Sequence, residues 1–323
     1  MIGGIVIAII IFSLLLIKGA DWVIVAIRRI SLGSTAKAFT ISAIVLALGT
    51  SFPELFVGIT SALEGTPSLS LGVVAGSNIA NITLVGGLAA LIVGRIRIHG
   101  EYLKREVWIA LVAGLLPSIL LIDGQLSRVD GLILLAVYGA YSSSFFRQRF
   151  IQIGEEQSEE GFVYRFVRRF SHITAEKKRE IGRLFVGLAL MLFSADMIVK
   201  LAIFLGDLAN VPNLFVGLVI VAIGTSLPEL AFSLRSLKEH EPSMFIGNLL
   251  GSTIVNSTLV LGMVSLIQPI VITALSQYYV AVFAFFAVFL SFWFFIRSKH
   301  RMDRWEAGVL LLLYLAFVLV ELF

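Results

Sequence analysis

The sequence predicts an all-α polytopic membrane protein of ten transmembrane helices, arranged as two five-helix repeats of opposite orientation. Composition is the first observation: 58% of the 323 residues are hydrophobic and only 14% charged, where soluble domains carry about 25% charged residues. The second is apolar runs near or above 18 residues that recur along the chain, each long enough to span a bilayer. They are continuous rather than alternating, which selects helices over a closed barrel. The third is an internal repeat. Glu54 and Glu229 stand 175 positions apart, and the same offset relates Asp21 to Asp196, Gly49 to Gly224, Pro53 to Pro228, Gly76 to Gly251, Asn81 to Asn256 and Thr83 to Thr258. Chance likeness among apolar helices would match Leu and Val, not Asp, Glu, Asn and Pro.

The helices follow in order near 2–30, 38–64, 68–95, 105–122, 128–148, 180–206, 213–238, 243–268, 276–297 and 304–322. The first lacks a basic leader and runs into Lys18-Gly19-Ala20-Asp21-Trp22 without a clear cleavage site, so it reads as a retained helix. The chain divides into a first half at 1–149, a connector at 150–179 and a second half at 180–323. Each half holds an odd number of helices, so the second enters the membrane from the opposite side, the plan of many secondary transporters.

Lys and Arg set the orientation. Arg28, Arg29, Lys37, Arg95, Arg97, Lys104, Arg105, Arg147, Arg149, Arg235, Lys238, Arg297, Lys299, Arg301 and Arg304 fall on one side with the connector, while the other side holds little beyond Arg128. The first side is expected to be cytoplasmic, with both termini outside and the protein integral to the cell membrane. The net charge of +4 reflects these loops and calls for no nucleic acid. Within the connector, Gly154–Glu160 is acidic, and Val163, Phe166, Val167 and Phe170 share a helical spacing. This segment reads as a cytoplasmic linker rather than an interfacial helix. No protein partner is implied; the surroundings are the lipid bilayer.

The chemistry sits in two motifs, each present twice. In Leu48–Leu55, Ala47, Thr50 and Glu54 form one helical stripe, and Pro53 leaves the carbonyl of Gly49 without its usual partner. In Ile223–Leu230 the stripe is Ala222, Thr225 and Glu229, with Pro228 acting on Gly224. Ser51 and Ser226 lie alongside. The second motif is Gly76–Asn81, repeated as Gly251–Asn256. Ser77 and Asn81 share one face, as do Ser252 and Asn256, and Gly76 and Gly251 allow close helix approach. The two stripes of each repeat can therefore meet in a cavity lined by two carboxylates, two amides and several hydroxyls. These are hard oxygen ligands suited to Na⁺ or Ca²⁺. A carboxylate at bilayer depth costs about 2.5–3.5 kcal/mol, so a symmetric pair points to function.

Other groups weigh less. Asp196 has Lys200 one turn on, and Asp21 lies near Lys18 and Arg28, so structural or gating roles suit them better than coordination. His99, His172, His240 and His300 fall in or beside loops without zinc spacing. The absence of cysteine excludes disulfides and thiolate chemistry. Intramembrane proteolysis by Asp21 and Asp196 would need a Gly-x-Gly-Asp motif that is lacking, and a channel would need a pore-loop motif; the chain is read as neither.

The segments GTSFPE with GSNIANI, and GTSLPE with GNLLGSTIVNS, resemble the two α-repeats of the cation/Ca²⁺ exchanger superfamily, in particular its Na⁺/Ca²⁺ exchanger branch. The resemblance implies an antiporter rather than an enzyme, with Na⁺ and Ca²⁺ as transported ions and no cofactor. It assigns Glu54 and Glu229 as shared ligands, and backbone carbonyls of Ala47 and Ala222. It places Thr50, Ser77, Thr225 and Ser252 at flanking Na⁺ sites, with Asn81 and Asn256 lining the centre and Ser51 and Ser226 in support. It further implies that helices 1 and 6 slide across the rest. K⁺-dependent relatives carry Asp where this chain has Asn256, which argues against K⁺ transport. The alternative is a Ca²⁺/H⁺ antiporter on the same fold, although that branch usually reads GNxxE in place of GTSxPE.

Overall fold

A computed structural model describes residues 2–31, 49–94, 96–97, 101–153, 175–238, 242–272, 274–299 and 301–322. Ten helical rods occur among them. They are α1 (Ile2–Ser31), α2 (Phe52–Leu63), α3 (Pro67–Val93), α4 (Glu101–Leu120), α5 (Arg128–Ile153), α6 (Ala175–Ala209), α7 (Asn213–Lys238), α8 (242–267), α9 (Leu275–Lys299) and α10 (Arg304–Leu322). Eight are long and apolar enough to cross a membrane; α2 is described only over its short C-terminal part, and α5 completes the set. Predicted and observed bounds agree within a few residues wherever both exist. The histidines and most of the connector lie outside the described residues.

The inverted arrangement can be checked in the loops. Four two-residue strands pair antiparallel: β1 (Ile96–Arg97) with β4 (Arg301–Met302), and β2 (Gln125–Leu126) with β3 (Ile270–Val271). Ten crossings put the α3–α4 and α9–α10 loops, which carry β1 and β4, on one side. They put the α4–α5 and α8–α9 loops, which carry β2 and β3, on the other. Each ribbon therefore joins loops that the helix count already places together. The 175-residue offset also carries Ile96 to Val271 and Leu126 to Arg301, so one ribbon is the repeat's image of the other at the opposite end.

Burial separates the rods into layers. In α3 and α8, which are repeat mates, 72% of the most apolar window is buried, against 33% in α9 and α10. The outer helices turn Ile7, Ile11, Phe283 and Leu312 outward, as lipid-facing helices do. Two apolar cores result. The larger gathers α3, α4, α8, α9 and α10. The smaller holds α1 and α6, with Val57, Leu69, Val73, Val216 and Val221 from α2, α3 and α7 packed beneath them.

Glycine permits close helix approaches. A Cβ on Gly19 would lie 2.9 Å from the carbonyl oxygen of Gly187, and one on Gly187 the same distance from that of Gly19, so α1 and α6 meet backbone to backbone. Arg29 of α1 adds a 2.7 Å ion pair to Glu180 of α6. A Cβ on Gly72 or Gly76 would strike the carbonyl oxygens of Leu214 and Leu218, and one on Gly217 that of Leu69, so α3 and α7 also touch through backbone. This bears out the reading of Gly76. For Gly251 the same offset points to Phe39 and Ala43, outside the described residues.

Candidate cation-binding site

The site forms where α2, α3, α7 and α8 are irregular. Thr50 and Ser51 interrupt the second rod just before α2, and Ser226 interrupts α7 between Thr225 and Leu227. Ser51 (φ −88°, ψ 5°) and Ser226 (φ −83°, ψ 0°) share one conformation, with ψ near zero at the edge of the helical region. Pro53 and Pro228 follow two residues on, each at a helix start where a missing N–H costs little. The expected kink is present as a local interruption, made alike in both repeats, and helical bonding resumes across it: Leu55 N–H donates to the Ser51 carbonyl at 3.1 Å, and Leu230 N–H to that of Ser226 at 3.2 Å.

The partner helices carry matching irregularities. Asn81–Val85 in α3 and Asn256–Val260 in α8 are π-helical, 175 residues apart. Such wide turns often mark functional positions. Each opens at the asparagine that the sequence singles out. Thr83 Oγ1 donates to the Ile79 carbonyl at 2.6 Å and Thr258 Oγ1 to that of Ile254 at 2.5 Å, giving carbonyls one turn back a hydroxyl donor.

Glu54 and Glu229 are wholly buried, and none of their four carboxylate oxygens has a hydrogen-bond partner among the described residues. Ser77 and Thr225 flank the Glu54 carboxylate, and Ser252 flanks that of Glu229, in positions that stop short of formed hydrogen bonds. The oxygens are free to face a cation, and burying them otherwise unpaired would be costly. Among the described residues no cluster of three His, Cys, Asp or Glu occurs. A cation held here would therefore rest on two carboxylates, with hydroxyl and amide oxygens completing its shell.

The hydroxyls pair between the repeats. Ser77 Oγ lies 3.1 Å from Thr225 Oγ1, and Thr50 Oγ1 lies 3.5 Å from Ser252 Oγ. Each pair is the other's image under the repeat, so the stripes meet across the two halves, where the sequence reading had them meeting within each half. Asn81 and Asn256 are fully buried, as are Ser51 and Ser226, whose hydroxyls have no partner. The Ala222 carbonyl accepts from Thr225 Oγ1 at 3.3 Å. Ala47 lies outside the described residues. Asp196 pairs with Lys200 at 2.9 Å, the i, i+4 ion pair that the sequence offers, and Lys200 reaches Glu64 at 3.8 Å.

Four polar residues at the site were missed. Asn248 accepts from Thr50 Oγ1 at 3.2 Å, and its Nδ2 approaches the Glu229 carbonyl and Ser233 Oγ, both at 3.4 Å. It stands one turn before Ser252, a spacing that could have flagged it. Asn78 Nδ2 donates to Ser257 Oγ at 2.8 Å, and Asn256 Nδ2 donates to Asn78 Oδ1 at 3.4 Å. Ser13 of α1 is buried without a hydrogen-bond partner and stands where a Cβ on Gly224 would strike it; nothing in the sequence marked it.

Comparison with known proteins gives this geometry its context. The family described as "Sodium/calcium exchanger protein" matches residues 4–147 and 180–323. The inner membrane protein YrbG of Escherichia coli is 31% identical over 79% of this chain and 78% of its own length. The sodium/calcium exchanger MaX1 of Methanosarcina acetivorans is 26% identical over 94% of this chain and 95% of its own. The fold matches solved structures of the sodium-calcium exchanger NCX_Mj, including a form soaked in 10 mM Na⁺ without Ca²⁺, with a TM-score of 0.63, 26% identity and 99% of both chains covered. With two broken helices bringing paired glutamates to two π-helical asparagines, and with both halves matched, this chain belongs to the sodium/calcium exchanger family and is an integral membrane cation/Ca²⁺ exchanger.

Proposed function

We propose that the chain exchanges Na⁺ for Ca²⁺ by alternating access. One observation carries the reading: two repeat-related carboxylates, fully buried and without hydrogen-bond partners among the described residues, lie on the two stripes whose hydroxyls pair between the halves. Two negative charges balance one Ca²⁺. The same oxygens can serve Na⁺, so either cargo satisfies the site and the two exclude each other. Glu54 and Glu229 are assigned as shared ligands. Thr50, Ser77, Thr225 and Ser252 supply hydroxyls, Asn81 and Asn256 amide oxygens, and Ala47 and Ala222 carbonyls, with Ser51 and Ser226 in support. The relatives named sodium/calcium exchanger support Na⁺ as the coupling ion.

Movement is assigned to α1 and α6. They pack against each other through Gly19 and Gly187, share an apolar core apart from the larger one, and cover the broken helices. A pair so joined can shift as one body across α2 and α7. The halves 1–149 and 180–323 are taken as the two repeats and 150–179 as a cytoplasmic connector, with both termini outside the cell membrane, following the Lys and Arg distribution.

A Ca²⁺/H⁺ antiporter is the alternative. Purified protein in proteoliposomes separates the two: an outward Na⁺ gradient drives ⁴⁵Ca²⁺ uptake whether or not a pH gradient is present. Uptake that follows only the pH gradient would replace Na⁺ by H⁺ as the coupling ion.

A further inference from the structure

The ligands of this site appear twice, but one support appears once. Asn256 and Asn81 are repeat mates, both fully buried. Their amides differ. Among the described residues neither amide atom of Asn81 has a hydrogen-bond partner, whereas the Asn256 amine is engaged and only its Oδ1 is without one. The difference traces to one residue. Asn256 Nδ2 donates to Asn78 Oδ1 at 3.4 Å, and Asn78 Nδ2 donates onward to Ser257 Oγ at 2.8 Å. The repeat mate of Asn78 is Thr253, whose hydroxyl donates to the Leu249 carbonyl of its own helix at 3.0 Å. The mate of Ser257 is Ile82, which has no polar group. The relay has no image in the other half.

An asparagine side chain is a ligand only if its oxygen faces the ion; turned over, it presents two N–H donors. Within the site as proposed above, Asn256 therefore needs its rotation fixed. With Ser257, Ser118 and Tyr278, Asn78 lines a small cavity between α3, α4, α8 and α9, so on that side its amide meets open space rather than packed atoms. Tyr278 O–H is committed to Ser118 Oγ at 2.9 Å. Ser257 is the group that anchors Asn78. We propose that Asn78 is a positioning residue: anchored by Ser257, it holds the amine of Asn256 and so turns the Asn256 oxygen toward the transported cation, on one side of the site only.

A carboxylate offers oxygen on both of its branches and needs no such orientation, which gives the test. Full-length protein with Asn78→Leu or Ser257→Ala is purified, and Ca²⁺ is titrated by calorimetry with ⁴⁵Ca²⁺ flux measured in parallel. Each substitution is also placed in an Asn256→Asp background. Asn78→Leu should raise the Ca²⁺ dissociation constant roughly five- to thirtyfold, the worth of about one hydrogen bond to a buried polar group. Flux at saturating Ca²⁺ should stay within about twofold. Ser257→Ala, which removes one hydroxyl and leaves packing intact, should act in the same direction and less. Both effects should vanish in the Asn256→Asp background, and Thr253→Val should change nothing. A loss of the same size in both backgrounds would show that Asn78 merely supports the fold, and no loss in either would remove the relay altogether; both overturn the proposal while leaving the exchanger reading intact. Wild-type protein that binds no Ca²⁺ would overturn that reading and this proposal with it.

Discussion

Replacing Glu54 or Glu229 by Gln tests the charge balance on which the site rests. Gln keeps the length and shape of Glu and removes one charge. In the parent, two buried carboxylates offset a divalent ion; in either variant the same ion leaves one positive charge uncompensated in a place with no solvent exposure. Breaking a buried charge pair by removing one partner costs about 3–5 kcal/mol. Coulomb's law agrees in order: unit charges 4 Å apart at an effective dielectric of 20 interact by about 4 kcal/mol. The Ca²⁺ dissociation constant should therefore rise by roughly a hundredfold to several thousandfold, and exchange at low Ca²⁺ should disappear. The two variants should differ little, because each glutamate sits on the same broken turn and beside the same kind of hydroxyl. Without ions the fold should not suffer: neither carboxylate has a hydrogen-bond partner among the described residues to lose, so removing one charge leaves the melting temperature unchanged or raises it. Calorimetric Ca²⁺ titration, Na⁺-driven ⁴⁵Ca²⁺ uptake and thermal melting on the same preparations measure all three. A variant that melts like the parent and binds Ca²⁺ within threefold of it would refute the assignment.

Other outcomes follow from the same geometry. K⁺ should leave coupled flux unchanged, since the site holds Asn256 and only two carboxylates; exchange with and without K⁺ at clamped voltage checks this, and a strict K⁺ requirement would contradict it. Na⁺ should raise the apparent Ca²⁺ dissociation constant with a Hill slope above one, because more than one Na⁺ displaces each Ca²⁺ from shared oxygens; a Ca²⁺ affinity independent of Na⁺ would rule out sharing. Lowering pH should weaken binding of both ions, since a proton on Glu54 or Glu229 removes the charge that holds them; titrations across a pH series that show tighter binding in acid would reverse the sign. Gly76→Val should lower the melting temperature by several degrees and depress flux, because its side chain strikes the Leu218 carbonyl and Ala222 Cβ and overpacking of this kind costs about 1–3 kcal/mol. Arg29→Ala should barely alter melting: the Arg29 side chain is 53% exposed, and solvated ion pairs contribute about 0–1 kcal/mol.

The helices were legible because each carries its own signal. An apolar run of bilayer length needs no partner to be recognised, and every predicted rod is present among the described residues. The inverted arrangement was legible because five is odd. The candidate ligands stood out for a different reason: the chain states them twice. That same redundancy explains what was missed. Reading by repeats selects positions whose mates agree, such as Thr50 with Thr225 and Asn81 with Asn256. It passes over Asn248, whose mate is Val73, and over Asn78 and Ser257, whose mates are Thr253 and Ile82. These are the residues that make contacts the other half lacks. The π-helical turns were hidden more deeply, since a shifted backbone hydrogen bond leaves no mark in composition. Their position has a physical sense nonetheless: each opens at a buried asparagine and is followed two residues on by a threonine that satisfies a carbonyl one turn back. Duplication thus marks the candidate ligands, while departures from duplication mark how those groups are held. If the two faces of the site are supported differently, as the free amide of Asn81 and the tethered amide of Asn256 indicate, the two halves need not release an ion equally easily. Substituting Asn81 and Asn256 singly, in flux assays run in both directions, would measure that difference.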